Sequence, residues 1–129
     1  MDFPDDLKYS RSHEWVRKDG NEAVVGLTDY AQEELGDIVY VELPEEGEDI
    51  EKDSALGVIE SVKATEDLYA PVSGKVVEVN SQLDDTPEVV NEDPYGDGWM
   101  IRLEMSAPEE LNTLMNAEQY RVFVEAEKG

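Results

Sequence analysis

Short runs of apolar and β-branched residues, separated by polar turns, dominate the first half of the chain and predict strands. Residues 13–17 and 22–27 flank a turn at 18–21 that contains Asp-Gly, which is the pattern of a β-hairpin. Thr28 follows as an expected helix N-cap, Leu35 lies near the last turn, and Gly36 is placed to end the helix in a left-handed conformation. We therefore expect a hairpin followed by one short helix.

A six-residue pattern occurs twice, as Gly-Asp-Ile-Val-Tyr-Val at 36–41 and as Gly-Lys-Val-Val-Glu-Val at 74–79. Each copy passes from glycine into β-branched residues, so the two copies are expected to form equivalent strands of a small closed sheet. This predicts two β-rich halves related by a pseudo-twofold axis. The alternative is chance, because such short apolar patterns recur in β proteins.

Helical patterns return after a strand predicted at 99–105. Ser106 and Glu109 have the spacing of a capping box, with Pro108 in the first turn. Asn116 is expected to cap a second helical segment. We expect one face to carry Leu111, Leu114 and Met115, and an apolar stripe to continue through Tyr120, Phe123 and Val124. Core packing is the simplest explanation of this stripe.

With 129 residues, the chain fits one domain spanning 1–129. We expect a β core over about 8–105 and a helical segment over about 106–127. The first residues lack a secretion or transit pattern, and no run approaches the roughly 18 apolar residues that a spanning helix needs, so we expect a cytoplasmic protein.

The charge balance is strongly acidic, with 33 Asp and Glu against 10 Lys and Arg and a formal net charge of -23. This opposes nucleic acid and anionic membranes as partners. Two explanations of the excess stay open: a host with a salty cytoplasm, or simple solubility. Cysteine is absent, so disulfides and thiolate sites are excluded. Redox chemistry would need a group that the amino-acid sequence does not supply.

The segment 55–74 carries the candidate chemistry. Residues 55–59 and 65–70 predict two strands joined by a tight turn, which places Lys63 at an exposed tip with no wall for its side chain to pack against. On the residues alone, a solvated surface charge is the usual explanation of such a lysine.

The sequence around this lysine, Glu-Ser-Val-Lys-Ala at 60–64 followed by Tyr-Ala-Pro-Val-Ser-Gly at 69–74, resembles the lipoylation loop of the glycine cleavage H-protein family. Ser-His-Glu-Trp-Val at 12–16 and Asn-Glu-Asp-Pro-Tyr-Gly-Asp-Gly-Trp at 91–99 resemble the family's N-terminal and C-terminal signatures. The resemblance implies a mainly β, barrel-sandwich hybrid fold of the lipoyl and biotinyl carrier type, with a short internal helix and C-terminal helices.

The resemblance also implies a function. Lys63 would carry lipoic acid as an amide, and the chain would be a non-catalytic shuttle of the glycine cleavage system. It would take the aminomethyl group from the P protein, a glycine decarboxylase, to the T protein, an aminomethyltransferase, and the L protein would reoxidise the dithiol. Glu60, Ser61, Val62 and Ala64 would guide the lipoylating enzyme. Lys75 follows Gly74 but lacks the Glu-Ser-Val approach, and we expect it to stay unmodified.

A sheltered cleft would protect the loaded arm from water. We expect Ser12, Glu14 and Asp67 to accept hydrogen bonds from the cargo's ammonium, although ordinary acidic surface also explains the two acids. For His13, the only histidine, the family resemblance implies a structural place beside Trp15. No metal site is expected, because the acidic run at 45–49 lacks the pattern of a calcium loop.

Four competing interpretations use the same features. Biotin carriers usually flank the lysine with methionines, and lipoyl domains of 2-oxoacid dehydrogenases typically carry Asp before the lysine and lack the flanking signatures. A lipoyl donor to 2-oxoacid dehydrogenases would need the same lysine, so sequence cannot separate it from the shuttle. An independent small enzyme using His13 and Glu14 would retain its activity without Lys63.

Overall fold

The computed structural model describes residues 1–129 and contains nine strands, four α-helices and one 3-10 helix. The strands are Lys8–Tyr9 (β1), Glu14–Asp19 (β2), Glu22–Leu27 (β3), Ile38–Glu42 (β4), Asp49–Ile50 (β5), Ala55–Ser61 (β6), Thr65–Tyr69 (β7), Gly74–Val79 (β8) and Ile101–Met105 (β9). The α-helices are Asp29–Leu35 (α1), Gln82–Asp85 (α2), Val89–Glu92 (α3) and Ala117–Lys128 (α4), and the 3-10 helix is Pro108–Thr113.

Two antiparallel sheets enclose the main core. The larger has the order β1-β2-β3-β9-β8-β5, and the smaller has the order β4-β6-β7. Inward-facing residues of both sheets, such as Val25, Ile59, Leu68 and Leu103, belong to one cluster of 21 buried apolar residues. The expected mainly β architecture with a short internal helix and helical C-terminal segment is therefore confirmed.

The predicted hairpin and the helix after it are both present. In the hairpin, β2 and β3 pair from Glu14 opposite Leu27 to Asp19 opposite Glu22. Thr28 caps α1 by accepting a hydrogen bond from the Ala31 amide at 3.2 Å. Gly36 follows with a φ of 79°, where residues other than glycine are strained. Local sequence is sufficient to place both elements.

The repeated pattern forms two strands, β4 and β8, that share an irregularity. The register of β4 against β6 shifts between Ile38 and Tyr40, and that of β8 against β9 shifts between Val76 and Glu78, which are the equivalent positions of the repeat. Their surroundings differ, since β4 is an edge strand of the small sheet and β8 lies inside the large one. The copies therefore share a bulge but not their neighbours, and the pseudo-twofold axis stays a prediction.

The capping box predicted at Ser106 is wrong. A 3-10 helix begins at Pro108, and its N-cap is Ala107, which makes no side-chain capping bond. The Glu110 carboxylate instead accepts hydrogen bonds from the Ser73 amide at 2.7 Å and hydroxyl at 3.0 Å, and the Ser106 amide donates to the Ser73 carbonyl at 3.1 Å. Contacts across the fold therefore outweigh the local capping preference.

Two smaller expectations for this region also need correction. The strand begins at Ile101 rather than at 99. Leu111 and Leu114 pack on the main core, whereas Met115 packs on a second apolar cluster, so the three do not share a face. The chain is already in extended conformation at Leu114, which separates these residues.

The second apolar cluster, which has nine buried residues, packs α4 against the N-terminal residues. Asn116 caps α4 in a reciprocal capping box with Gln119, which confirms the second expected cap. The rings of Tyr9 and Tyr120 stack with centroids 4.6 Å apart, and Val124 is buried beside them. The stripe on α4 is therefore core packing. None of the helices combines the length and the apolar composition that a membrane-spanning segment requires.

Candidate functional site

Lys63 lies at the exposed tip of the turn between β6 and β7. The Ser61 amide donates to the Ala64 carbonyl at 2.8 Å, and the Ser61 hydroxyl accepts from the amides of Lys63 and Ala64, each at 3.1 Å. The Val62 amide donates to the Asp37 carbonyl at 3.0 Å. These bonds fix the backbone of the turn, so the lysine projects from a rigid base.

The side chain of Lys63 packs along the C-terminal end of α1. A Cβ added at Gly36 would lie 3.3 Å from Lys63 Cε, and Lys63 Nζ donates to the Glu34 carbonyl at 3.4 Å. An ammonium is favourable there because the last carbonyls of a helix carry partial negative charge. The expectation that the lysine has no wall to pack against is therefore wrong, because sequence spacing does not show that α1 ends beside the turn.

A cleft of about 490 Å³ opens next to this turn, between α1, β6, β7 and the residues before β2. Leu27, Leu35 and Ile59 are among its apolar lining residues. The cleft also has four exposed acidic lining residues, Glu34, Glu66, Asp67 and Glu127. Arg11 also lines the cleft, but these four carboxylates outnumber its single positive charge, so an apolar wall with a mainly acidic rim suits a flexible apolar chain that ends in a cation.

Glu14 is the most deeply buried polar residue of this cleft, with 1% of its surface exposed. Its carboxylate accepts hydrogen bonds from the Ser10 and Ser12 hydroxyls, each at 2.6 Å, and from the Tyr69 amide at 3.2 Å. Burial raises the pKa of Glu14 from 4.5 to about 7, although these hydrogen bonds oppose the shift. The interpretation of Glu14 as ordinary acidic surface is therefore wrong.

The three candidate cleft residues, Ser12, Glu14 and Asp67, all line the same cleft. Asp67 lies exposed in β7 and accepts a hydrogen bond from the Tyr69 hydroxyl at 3.5 Å. Ser10 was missed by sequence reasoning. Residues 11–13 form a turn, in which the His13 amide donates to the Ser10 carbonyl at 3.1 Å, and this turn brings the Ser10 and Ser12 hydroxyls to Glu14.

His13 belongs to a hydrogen-bonded chain that joins α4 to α1. Its Nδ1 lies 2.8 Å from the Tyr120 hydroxyl, which lies 2.7 Å from Thr28 Oγ1, and its Nε2 lies 2.8 Å from the Glu127 carboxylate. Burial lowers the pKa of His13, and the Glu127 carboxylate opposes that change. The ring packs on Tyr30, Tyr120 and Phe123. Its place is structural, but its neighbours are these rings and not Trp15.

The residues beside Lys63 differ in position. Val62 is 66% exposed at the tip, Ala64 lines the cleft, and Glu60 is half-buried in β6 opposite Tyr40 and Thr65. Lys75 lines a different cleft, of about 680 Å³, which is mostly charged and polar and lies between β5, β8 and β9. Of these two clefts, the smaller one contains Ala64 of the Lys63 turn in its lining.

Comparison with known proteins shows the family of this chain. A family model described as "Glycine cleavage H-protein" matches residues 7–127. The chain belongs to the glycine cleavage H-protein family. It is 54% identical over 128 residues to the glycine cleavage system H protein of Anaeromyxobacter sp. (strain K), covering 99% of this chain and 100% of that one. It is 56% identical over 124 residues to the H protein of Carboxydothermus hydrogenoformans, covering 96% and 95%.

A solved structure of the family agrees with the fold. The crystal structure of a glycine cleavage system H protein from Mycobacterium marinum superposes with a TM-score of 0.86 at 38% identity, covering 93% of this chain and 97% of that one. The barrel-sandwich hybrid expected from the resemblance is therefore confirmed.

Proposed function

We propose that this chain is the lipoyl-bearing carrier of the glycine cleavage system and that Lys63 is the attachment residue. The observation that carries the proposal is the position of one exposed amine, fixed on a rigid turn beside an acidic cleft with a buried carboxylate. A lipoyl group on this amine would supply a disulfide at the end of a long flexible chain.

In this proposal the chain contributes tethering and shelter, while the P, T and L proteins carry out the chemical steps. The hydrogen-bonded turn at Ser61–Ala64 fixes the base of the arm, which keeps the cargo at high local concentration for successive partners. The cleft beside the turn has apolar lining residues against which a hydrocarbon chain would pack, and this packing would limit access of water.

Glu14, Ser12 and Asp67 are proposed to hold the cargo's ammonium. Glu14 offers a carboxylate that no cationic side chain contacts, and Asp67 adds a second negative charge on the rim. An arriving cation would favour the ionised form of Glu14 and form charge-assisted hydrogen bonds with it. The cleft therefore favours a cationic over a neutral arm end.

Glu60, Ser61, Val62 and Ala64 are proposed to present Lys63 to the lipoylating enzyme. Ser61 sets the shape of the turn through three hydrogen bonds to its backbone, and Val62 offers an exposed apolar contact next to the lysine. Lys75 lies within strand β8 and not in a turn.

Peptide mapping with intact mass measurement tests the attachment residue directly. Protein isolated from cells that lipoylate other proteins should carry a lipoyl increment on the peptide containing Lys63. Lys63→Arg should abolish it and the carrier activity, whereas the matched change Lys75→Arg should alter neither. Lipoate on Lys75, or activity that survives Lys63→Arg, would contradict the proposal, and the second result would favour an independent enzyme.

The cleft residues need a separate measurement, the lifetime of the loaded arm in the absence of the partner proteins. Glu14→Gln should shorten this lifetime because it removes the buried negative charge. Glu104→Gln removes an exposed charge of β9, outside the cleft, and serves as the control. An unchanged lifetime in Glu14→Gln would refute the proposed cargo site while leaving Lys63 as the attachment residue.

A further inference from the structure

The signature segment at 91–99 contacts both ends of α1, the helix that forms one wall of the cleft. At the N-terminal end, the Tyr95 hydroxyl accepts a hydrogen bond from the Asp29 amide at 2.9 Å and donates to the Asp2 carbonyl at 2.7 Å. A single short segment therefore restrains α1 along its length, because Asn91 lies at the other end.

Both the nitrogen and the oxygen of the Asn91 side-chain amide form hydrogen bonds with the C-terminal end of α1 or with the residues that follow it. Its Nδ2 donates to the Gly36 carbonyl at 2.9 Å and to Gln32 Oε1 at 3.0 Å. Its Oδ1 accepts from the Ile38 amide at 2.9 Å. The link between α1 and β4 thus takes two of its backbone hydrogen bonds from one side chain rather than from a helix or a sheet.

This link is in direct contact with the base of the proposed arm. Asp37 lies between the two backbone groups that Asn91 binds, and its carbonyl accepts the hydrogen bond from the Val62 amide at 3.0 Å. Gly36 also lies against the side chain of Lys63. Asn91 is therefore connected to the turn that carries Lys63 through its hydrogen bonds to Gly36 and Ile38, the backbone of Asp37 between them, and the hydrogen bond from Val62.

We propose that Asn91 is a positioning residue that fixes the Lys63 turn relative to the wall of the cleft. Without its side chain, the Gly36 carbonyl and the Ile38 amide lose their partners in a partly buried place, which is costly unless the backbone moves towards water. Gly36 permits such movement because glycine has wide backbone freedom. The Asp37 carbonyl would move with the link and weaken its bond to Val62.

The consequence for the carrier rests on the proposed function. If the turn shifts, an arm attached to Lys63 no longer enters the cleft from the same point, although every cleft residue is unchanged. Asn91→Ala should then expose the cargo, even though Asn91 does not line the cleft. This outcome would distinguish an effect on the position of the arm from an effect on the binding of its cargo.

Amide hydrogen exchange of the unmodified chain tests the positioning itself, with Val62 as reporter because Asn91 does not touch it. Asn80→Ala is the matched control, since the Asn80 side chain also makes three hydrogen bonds, to Asp97, Trp99 and Gln82. It loosens the far end of the segment 91–99 without removing a contact to α1 or the turn, so it controls for general loosening of that segment. Protection of the Val62 amide should fall about tenfold in Asn91→Ala, the effect of losing one hydrogen bond, and should change much less in Asn80→Ala.

Unchanged Val62 protection in Asn91→Ala, or an equal loss in both variants, would overturn the inference. If Asn91→Ala does not fold, Asn91→Asp replaces it, because the carboxylate keeps the bond from Ile38 but cannot donate to the Gly36 carbonyl. The same fall at Val62 is expected.

The effect on the arm is then measured with the lipoylated forms of both variants. The loaded arm should lose its cargo faster in Asn91→Ala than in Asn80→Ala, and equal rates would overturn the effect on the arm. Failure of Lys63 to carry lipoate would refute the proposed function, whereas the exchange measurement on unmodified protein would still decide the positioning.

Discussion

The buried carboxyl of Glu14 should make the stability of this fold depend on pH in a way that one substitution can isolate. Burial raises the pKa of Glu14 from 4.5 to about 7. The folded state therefore holds the proton more tightly than the unfolded state, and the stabilisation is complete below about pH 4.5. It is lost as the pH rises through about 7, where the fold must contain a buried charge.

The size of the effect follows from the pKa difference. At roughly 1.4 kcal/mol per pKa unit, the change from 4.5 to about 7 corresponds to about 3 kcal/mol of unfolding free energy lost between low and neutral pH. Glu14→Gln carries no titrating proton, so the variant should gain about 3 kcal/mol relative to the parent chain when the pH rises from about 4 to about 8.

The substitution also has a cost that does not depend on pH. A glutamine oxygen placed at Oε1 keeps the bonds from the Ser10 and Ser12 hydroxyls, but its NH₂ group then faces the Tyr69 amide, so two donors meet. This should lower stability by about 1 to 3 kcal/mol at every pH. The informative quantity is therefore the slope of the difference with pH and not its value at one pH.

Urea unfolding of both chains across this pH range, at constant ionic strength, gives the difference directly. Glu104→Gln controls for the change in net charge, because Glu104 is exposed in β9. NMR titration of the Glu14 carboxyl provides an independent midpoint near 7. A difference that stays flat from about pH 4 to 8, or a Glu14 midpoint near 4.5, would refute the argument that burial controls this group.

Three further outcomes can be measured with the same methods. Gly36→Ala should lower the free energy of unfolding by about 1 to 3 kcal/mol, because its φ of 79° strains other residues, and should displace the Lys63 side chain; wild-type stability would contradict this. Tyr120→Phe should cost about 1 to 3 kcal/mol in urea unfolding, since it removes the hydroxyl between His13 and Thr28, and no loss would argue against that hydrogen-bonded chain. If the net charge of -23 reflects a salty host, the midpoint of thermal unfolding should rise from dilute buffer to about 1 M potassium chloride, and equal midpoints would reject the idea.

Sequence was sufficient where the structural signal is local. Thr28, Gly36 and Asn116 act within a few residues of their own positions, so their roles as caps could be predicted. The tip position of Lys63 follows in the same way from two short strands and a tight turn. Local geometry of this kind repeats between proteins and leaves clear residue patterns.

The rest depends on contacts between distant parts of the chain. Ser106 has the right spacing for a capping box, but the bonds between Glu110 and Ser73 determine the local structure. The burial of Glu14 depends on β7 covering it, and the role of Asn91 depends on α3 lying beside the end of α1. No pattern within either segment shows these neighbours.

The contact between Lys63 and the end of α1 has a consequence for timing. The Lys63 ammonium donates to the Glu34 carbonyl, and its positive charge is favourable at this end of α1. Acylation leaves a neutral amide with a single N–H and removes the charge, so the reaction that attaches an arm would also weaken this contact. The acylated side chain should therefore move more than the unmodified one. NMR relaxation of the Lys63 methylene groups before and after acylation should show that gain in motion.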